Sequence, residues 1–232
     1  MKTRLFILSL AVLTAVPAFA SRSKQLERIE EAGVVMTEIL GIPEGSIPRD
    51  LLRKAECVVI IPSMKKAALG VGGNYGKGCI LCRNKETWTA PVMVQMTGGS
   101  FGLQLGGTST DVILLIMNKR GVNKLLESKV TLGGDAAAAA GPKGRTAAAM
   151  TDAQMRAEIL SYARSRGLFA GIALNGCVLH PNGDDNEDLY GKRIDARKIL
   201  IQGLGAIPQA AKPLIDLLKQ YPSSDQIDPV EK

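Results

Sequence analysis

The chain has 232 residues, 46% hydrophobic and 22% charged, with a formal net charge of +7, four cysteines and a single histidine. That length supports a substantial core within one domain, and the cationic excess points to acidic partners such as anionic lipid, envelope polymer or nucleic acid. No stretch reaches the ~20 consecutive apolar residues of a membrane-spanning helix, and one histidine with one CxxC gives a structural zinc site little to build on.

Residues 1–20 read as a secretory signal peptide. Lys2 and Arg4 open it, residues 5–16 are apolar, and Ala18-Phe19-Ala20 is a small-x-small cleavage pattern. Ser21 follows the cut where a lipoprotein has cysteine, so residues 21–232 are expected to be exported as one soluble domain of charge +5. Within residues 22–40, Leu26, Ile29, Gly33, Met36 and Leu40 recur at helical spacing among Glu27, Arg28, Glu30, Glu31 and Glu38. This predicts an amphipathic helix stopped by Gly41 and Pro43. Its glutamates favour packing on the domain over lying on a membrane.

Pro48 begins a second short helix through Leu51, Leu52 and Lys54, and residues 57–61 form a strand closed by Pro62. The chain is then strand-rich, with Gly, Asn and Thr punctuating short apolar runs. Phe101, Leu103 and Leu105 alternate with Gly102, Gln104 and Gly106, giving one core face and one smooth face. Residues 112–117 are apolar throughout, which predicts a central strand covered on both sides. Residues 119–126 read as a short helix, and residues 133–150 as helical turns and loop or close-packed small residues. Residues 152–166 carry both a capping-box signal at Thr151 and Gln154 and a strand-like alternation. Pro213, Leu214, Leu217, Leu218 and Tyr221 predict a helix that closes the core.

Two segments, residues 64–81 and 162–179, align at a fixed offset: Lys66 on Arg164, Gly73 on Gly171, Gly78 on Gly176 and Cys79 on Cys177. Each sets a basic cluster before a strand whose small residues admit the close approach of another surface. In an oxidising compartment Cys57, Cys79, Cys82 and Cys177 could form two disulfides, and the sequence does not give the pairing. Positions 79 and 82 of a strand face opposite sides, which argues against a redox or zinc motif. Buried thiols are the first expectation and a disulfide the second.

Chemistry finds few footholds. The glycines of residues 70–76 lead into another strand, and residues 141–145 lack a Gly-Lys-Ser/Thr ending, so neither suits a nucleotide phosphate. His180 precedes a Pro-Asn-Gly turn and has no nucleophile motif for company. Asp184, Asn186 and Asp188 have the one-three-five spacing of calcium ligands, with Asp195 in twelfth place. The glycine an EF-hand needs at its sixth position is Leu189, so a solvated loop is the first reading and calcium the alternative. Trp88 is a core residue first and an interfacial anchor second.

Four segments in order, IIPSMKKAALGVGGNYGKG, TAPVMVQMTGGSFGLQLGGTSTDVILLIMN, KVTLGGDAAAAAGPKGR and EILSYARSRGLFAGIALNG, closely resemble the SYLF-domain family of lipid-binding proteins. The resemblance runs from about Ile29 to Leu204. Eukaryotic members couple this domain to actin-regulating or membrane-targeting modules and bind phosphoinositides, while bacterial members are exported stand-alone domains. By resemblance the chain is a bacterial-type protein of the periplasm or cell envelope. With no SH3 or FYVE module in it, anionic glycerophospholipid is the expected ligand class and no actin partner is expected.

The resemblance also favours a strand over residues 158–174 with a hairpin turn at residues 164–167. On that basis Lys65, Lys66, Arg164 and Arg166 are the candidate headgroup contacts. The expected fold is α+β: a curved, mainly antiparallel sheet, barrel-like at its limit, with amphipathic N-terminal and C-terminal helices packed on it. The expected function is non-enzymatic binding of anionic phospholipid, without a cofactor or nucleic acid. The alternative is a protein-interaction or self-associating scaffold module.

Overall fold

A computed structural model describes residues 16–42, 46–85, 87–127, 129–144, 150–165 and 167–223; within them, the side chains of residues 16–19, 66–72 and 100–108 lie outside the description. The fold is organised by one long antiparallel pair. Strand β1 (Cys57–Asn84) runs against β3 (Val92–Ile116), in register from Cys57 opposite Ile116 to Ile80 opposite Val92. The two-residue β2 (Thr87–Trp88) turns back onto the end of β1.

Strands of this length cannot stay flat, because each carries a right-handed twist. Here the pair curls strongly. Register shifts fall between Ile61 and Met64 and between Ala68 and Gly70. The first coincides with Pro62, which has no N–H to give the ladder, and with Ser63 at a φ of 51°. Pro62 therefore bends the strand where the sequence reading ended it. The curl brings the end of β1 back to its start: the Arg83 N–H donates to the Glu56 carbonyl at 2.8 Å, and a disulfide joins Cys57 to Cys82. At this crossing a Cβ on Gly78 would lie 2.0 Å from the Ile60 carbonyl oxygen, so only glycine fits.

The curled sheet has core on both faces, and alternation along each strand assigns the residues. Val58, Ile60, Cys79, Leu81, Met93, Ile113 and Leu115 face α1 (Val16–Leu40), α2 (Arg49–Lys54), α5 (Gly183–Tyr190) and α7 (Lys212–Lys219). Cys57, Val59, Ile61, Ile80, Cys82, Val94, Val112, Leu114 and Ile116 face α3 (Lys119–Glu127), α6 (Ala196–Leu200) and the short strand β8 (Val178–Pro181). Residues 112–116 are fully buried, as their unbroken apolar run predicts. Cys79 and Cys82 belong to opposite faces, so the CxxC does not converge, and Cys79 and Cys177 are buried free thiols.

Beyond β3 the sheet continues with β6 (Ile159–Ser165), which pairs antiparallel with β3 and β7 (Leu168–Gly171) and parallel with β5 (Ala138–Ala140); β8 pairs with β3 and β4 (Val130–Thr131). Both signals in residues 152–166 are real. Thr151 and Gln154 form a reciprocal capping box on α4 (Asp152–Arg156), and β6 follows at once. Residues 133–150 hold a turn and the short strand β5 in place of the expected helical turns, with 145–149 outside the described residues. His180 lies in β8 opposite Gln95, where a turn was expected. The two aligned segments have different structures: the first is continuous strand, while the second breaks at Gly167 into β6, β7 and β8. The alternation of Phe101, Leu103 and Leu105 concerns side chains outside the described residues.

Replacing Gly78 with Ala should lower stability by about 1–3 kcal/mol or more through steric overlap. Urea denaturation checks this, and an unchanged midpoint would show that the crossing is looser than described.

Candidate functional site

Of the four candidate headgroup contacts, Lys65, Lys66 and Arg164 lie in one region of the sheet, in strands and not on turns. Lys65 stands in β1 opposite Ser109 and is exposed. Lys66 is opposite Thr108, its side chain outside the description, and Arg166 lies outside the described residues. Arg164 is in β6 opposite Asp111. Because the Ser165 hydroxyl donates to the Ser109 carbonyl at 3.4 Å, the end of β6 and Lys65 flank the same stretch of β3.

Arg164 is already occupied. Its Nε and Nη2 donate to Asp111 Oδ2 at 3.0 and 2.8 Å, and its Nη1 donates to Glu38 of α1. The other Asp111 oxygen accepts the Ser63 N–H at 2.9 Å, at the bend after Pro62. Burial pulls the Arg164 pKa down, but hydrogen bonds and charge from Glu38 and Asp111 outweigh it and raise the net value. The guanidinium thus clamps α1 to β3 and β6.

The calcium candidates are also dispersed by the structure. Helical geometry puts Asn186 on the side of α5 opposite Asp184 and Asp188. Asn186 is buried, accepts the Met93 N–H at 2.8 Å and donates to the Met93 carbonyl at 3.0 Å. Asp188 accepts from the Ser21 hydroxyl, Asp184 is exposed, and Asp195 accepts the Arg197 N–H at 2.7 Å as the cap of α6. Among the described residues no cluster of three or more His, Cys, Asp or Glu is placed to hold a metal ion.

Two further clusters escaped the sequence reading. Asp185, buried at 5% exposure, takes the Lys77 ammonium at 3.0 and 2.9 Å and the Gln25 amide at 3.1 Å, with Arg28 at 3.9 Å. It ties α5, β1 and α1 together. Glu158, just before β6, receives Lys124 and Arg120 of α3 at 2.9 and 3.0 Å and the Ala137 N–H at 3.0 Å. Burial raises the Glu158 pKa, and the contacts from Lys124, Ala137 and Arg120 reverse this and hold it below the usual carboxylate range. Arg83 lies over the buried Trp88 ring at 4.6 Å and donates to the carbonyls of Leu52, Ala55 and Tyr221. Trp88 is therefore a core residue. Burial pushes the Cys79 thiol up to about 12, so it stays protonated and is no nucleophile.

A curled, mostly antiparallel β half-barrel with buried polar groups that fasten helices to the sheet defines the class of fold, and proteins of this class are named for binding and regulation. The chain belongs to the Ysc84 family, the SYLF family of the sequence reading: the family described as "Las17-binding protein actin regulator" matches residues 97–221. It is 36% identical to an SH3 domain-containing protein of Schizosaccharomyces pombe over 85% of this chain and 46% of that protein. Protein YSC84 of Saccharomyces cerevisiae is 30% identical over 86% of this chain and 43% of its own length, and the SH3 domain-containing YSC84-like protein 1 of Mus musculus is 31% identical over 77% and 53%. The chain thus spans about half the length of these curated relatives. LAS seventeen-binding protein 3 of Saccharomyces cerevisiae, 32% identical over 86% of this chain and 44% of its own, carries the same partner in its name. These names overturn the expectation that no actin-related partner belongs with this chain.

Because the folded Glu158 pKa is depressed, its carboxylate contributes stability that is fully present above the unfolded value of ~4.3 and is lost as pH falls through the folded value. Glu158→Gln should therefore cost about 1.5–3 kcal/mol at neutral pH. In urea denaturation the gap from the parent should close below pH ~4; a gap unchanged down to pH ~3 would refute the assignment.

Proposed function

We propose that this chain is a non-catalytic module that binds anionic phospholipid at a cell-envelope surface, as an exported protein. The observation that carries the reading is how charge is distributed. The carboxylates of Asp111, Glu158 and Asp185 are taken up by internal partners, while Lys65, Lys119, Arg197 and Lys198 are exposed and meet no carboxylate among the described residues. Residues 21–232 keep a formal charge of +5, and these exposed cations are the part of it free to meet an anionic surface. Each such charge near an anionic surface contributes about 1 kcal/mol, screened over a Debye length of ~8 Å at physiological salt.

A second reading comes from the relatives. They are named for binding Las17 and for carrying SH3 domains, which favours a protein partner of the actin-regulatory kind. The two readings separate on lipid charge and salt.

The purified protein should float with vesicles of phosphatidylcholine and phosphatidylglycerol and not with phosphatidylcholine alone, and 0.5 M salt should reverse most of the binding. Flotation with neither vesicle would move the reading to the protein partner. Arg164→Gln should lower thermal stability through loss of its clamp on Glu38 and Asp111, with any loss of vesicle affinity following the loss of fold.

A further inference from the structure

We propose that the rim of the half-barrel formed by α6 and residues 201–208 is the face that docks on an anionic membrane. This rests on the lipid reading above and assigns it a place. Ile201, Leu204 and Ile207 are 50%, 51% and 44% exposed, three large aliphatic side chains turned to water within seven residues. Scattered exposed hydrophobics need no explanation, whereas a cluster marks an interaction surface.

The loop's own architecture keeps these side chains outward. Gly203, at a φ of 68°, lies against Asn84, whose Nδ2 would be 2.4 Å from a Cβ there. Gly205, at a φ of 154°, rests on Ala90 and Ile199. Glycine therefore occupies the two positions where the loop passes closest to the body of the fold, with Leu204 between them. The Ile201 N–H donates to the Arg197 carbonyl at 2.9 Å and the Leu204 N–H to the Lys198 carbonyl at 3.0 Å, which holds the aliphatic residues on the turn that carries the two cations.

Arg197 and Lys198 are exposed without a carboxylate partner among the described residues. Asp195, the nearest acid along the chain, is held by the Arg197 N–H. Lys119 and Ile201 line a common cleft of about 330 Å³ with the Cys57–Cys82 disulfide. Glu56 also lines this cleft, where its charge acts on the partly buried Arg83. The face thus combines aliphatic tips with three cations that meet no carboxylate among the described residues. That is the chemistry of a headgroup boundary, where apolar side chains enter the acyl edge and Lys and Arg meet phosphate. Lys65, by contrast, stands opposite Ser109 and beside exposed Ser63, and no exposed large aliphatic side chain is described next to it.

The test uses vesicles of phosphatidylcholine with phosphatidylglycerol. Replacing the three aliphatics together, Ile201→Ser, Leu204→Ser and Ile207→Ser, should lower vesicle partitioning at least tenfold with an unchanged melting temperature. Arg197→Gln with Lys198→Gln should lower it severalfold and weaken its salt dependence. In a protein carrying Leu204→Trp, emission should shift to the blue on adding these vesicles, over a constant background from buried Trp88. If the parent floats while the triple variant floats equally and the Leu204→Trp emission does not move, or if Lys65→Gln alone abolishes binding, the docking face lies elsewhere and the lipid reading survives. If the parent does not float, the lipid reading fails and this assignment fails with it.

Discussion

The return of β1 onto its own beginning is the constraint on which the other elements depend. A pair of strands this long would expose unpaired edges and a broad apolar surface if it lay flat. Curling gives that apolar surface a core on both faces, provided that two segments of backbone can pass almost in contact. Gly78 against the Ile60 carbonyl is that contact, and the Arg83 to Glu56 hydrogen bond and the Cys57–Cys82 disulfide lock it. Arg83 then carries the closure outward, since the guanidinium that covers Trp88 also binds carbonyls of α2 and of Tyr221 after α7. Once the ring is closed, each strand has two faces to bury, which is why helices pack on both sides.

Charges inside the molecule act as fasteners at the seams between these layers. Asp185 joins α5 to β1 and α1, Arg164 joins α1 to β3 and β6, and Glu158 joins α3 to β6 and the approach to β5. Pairs of this kind contribute little net stability over apolar residues of the same shape, because desolvation offsets most of the Coulomb attraction. Losing one member is costly, since its partner is left charged and poorly hydrated. They therefore fix how helices sit on the sheet more than they add to its stability.

What the sequence revealed follows from the range of the forces involved. Helix α1, the short α2, α3, the capping box of α4 and the C-terminal helix rest on local periodicity and caps, and all are legible. The buried run at 112–116 is legible because an unbroken apolar strand has no other home. The length of β1 is not, since Pro62 and the glycines that follow look like breaks when they serve as bends. Arg164 looks like a free cation because its partners Asp111 and Glu38 lie 53 and 126 residues away. The acidic run resembles calcium ligands only while it is read as a loop; wound into α5, alternate residues point apart. The Las17 binding for which relatives are named has no local mark in this sequence, and the family resemblance alone brought actin regulation into view.

The same distribution of polar groups that stabilises the interior defines the exterior. Some exposed cations meet no carboxylate among the described residues, and two of them stand together. Arg197 and Lys198 stand on the turn that also exposes Ile201 and Leu204, at the edge where β1 closes. An aqueous rim would be expected to hide such aliphatic residues, yet here it is Gly203 and Gly205 that lie against Asn84, Ala90 and Ile199. The closure that makes the half-barrel therefore also makes its rim, and the residues that cover the closed edge are the ones the fold leaves in contact with solvent.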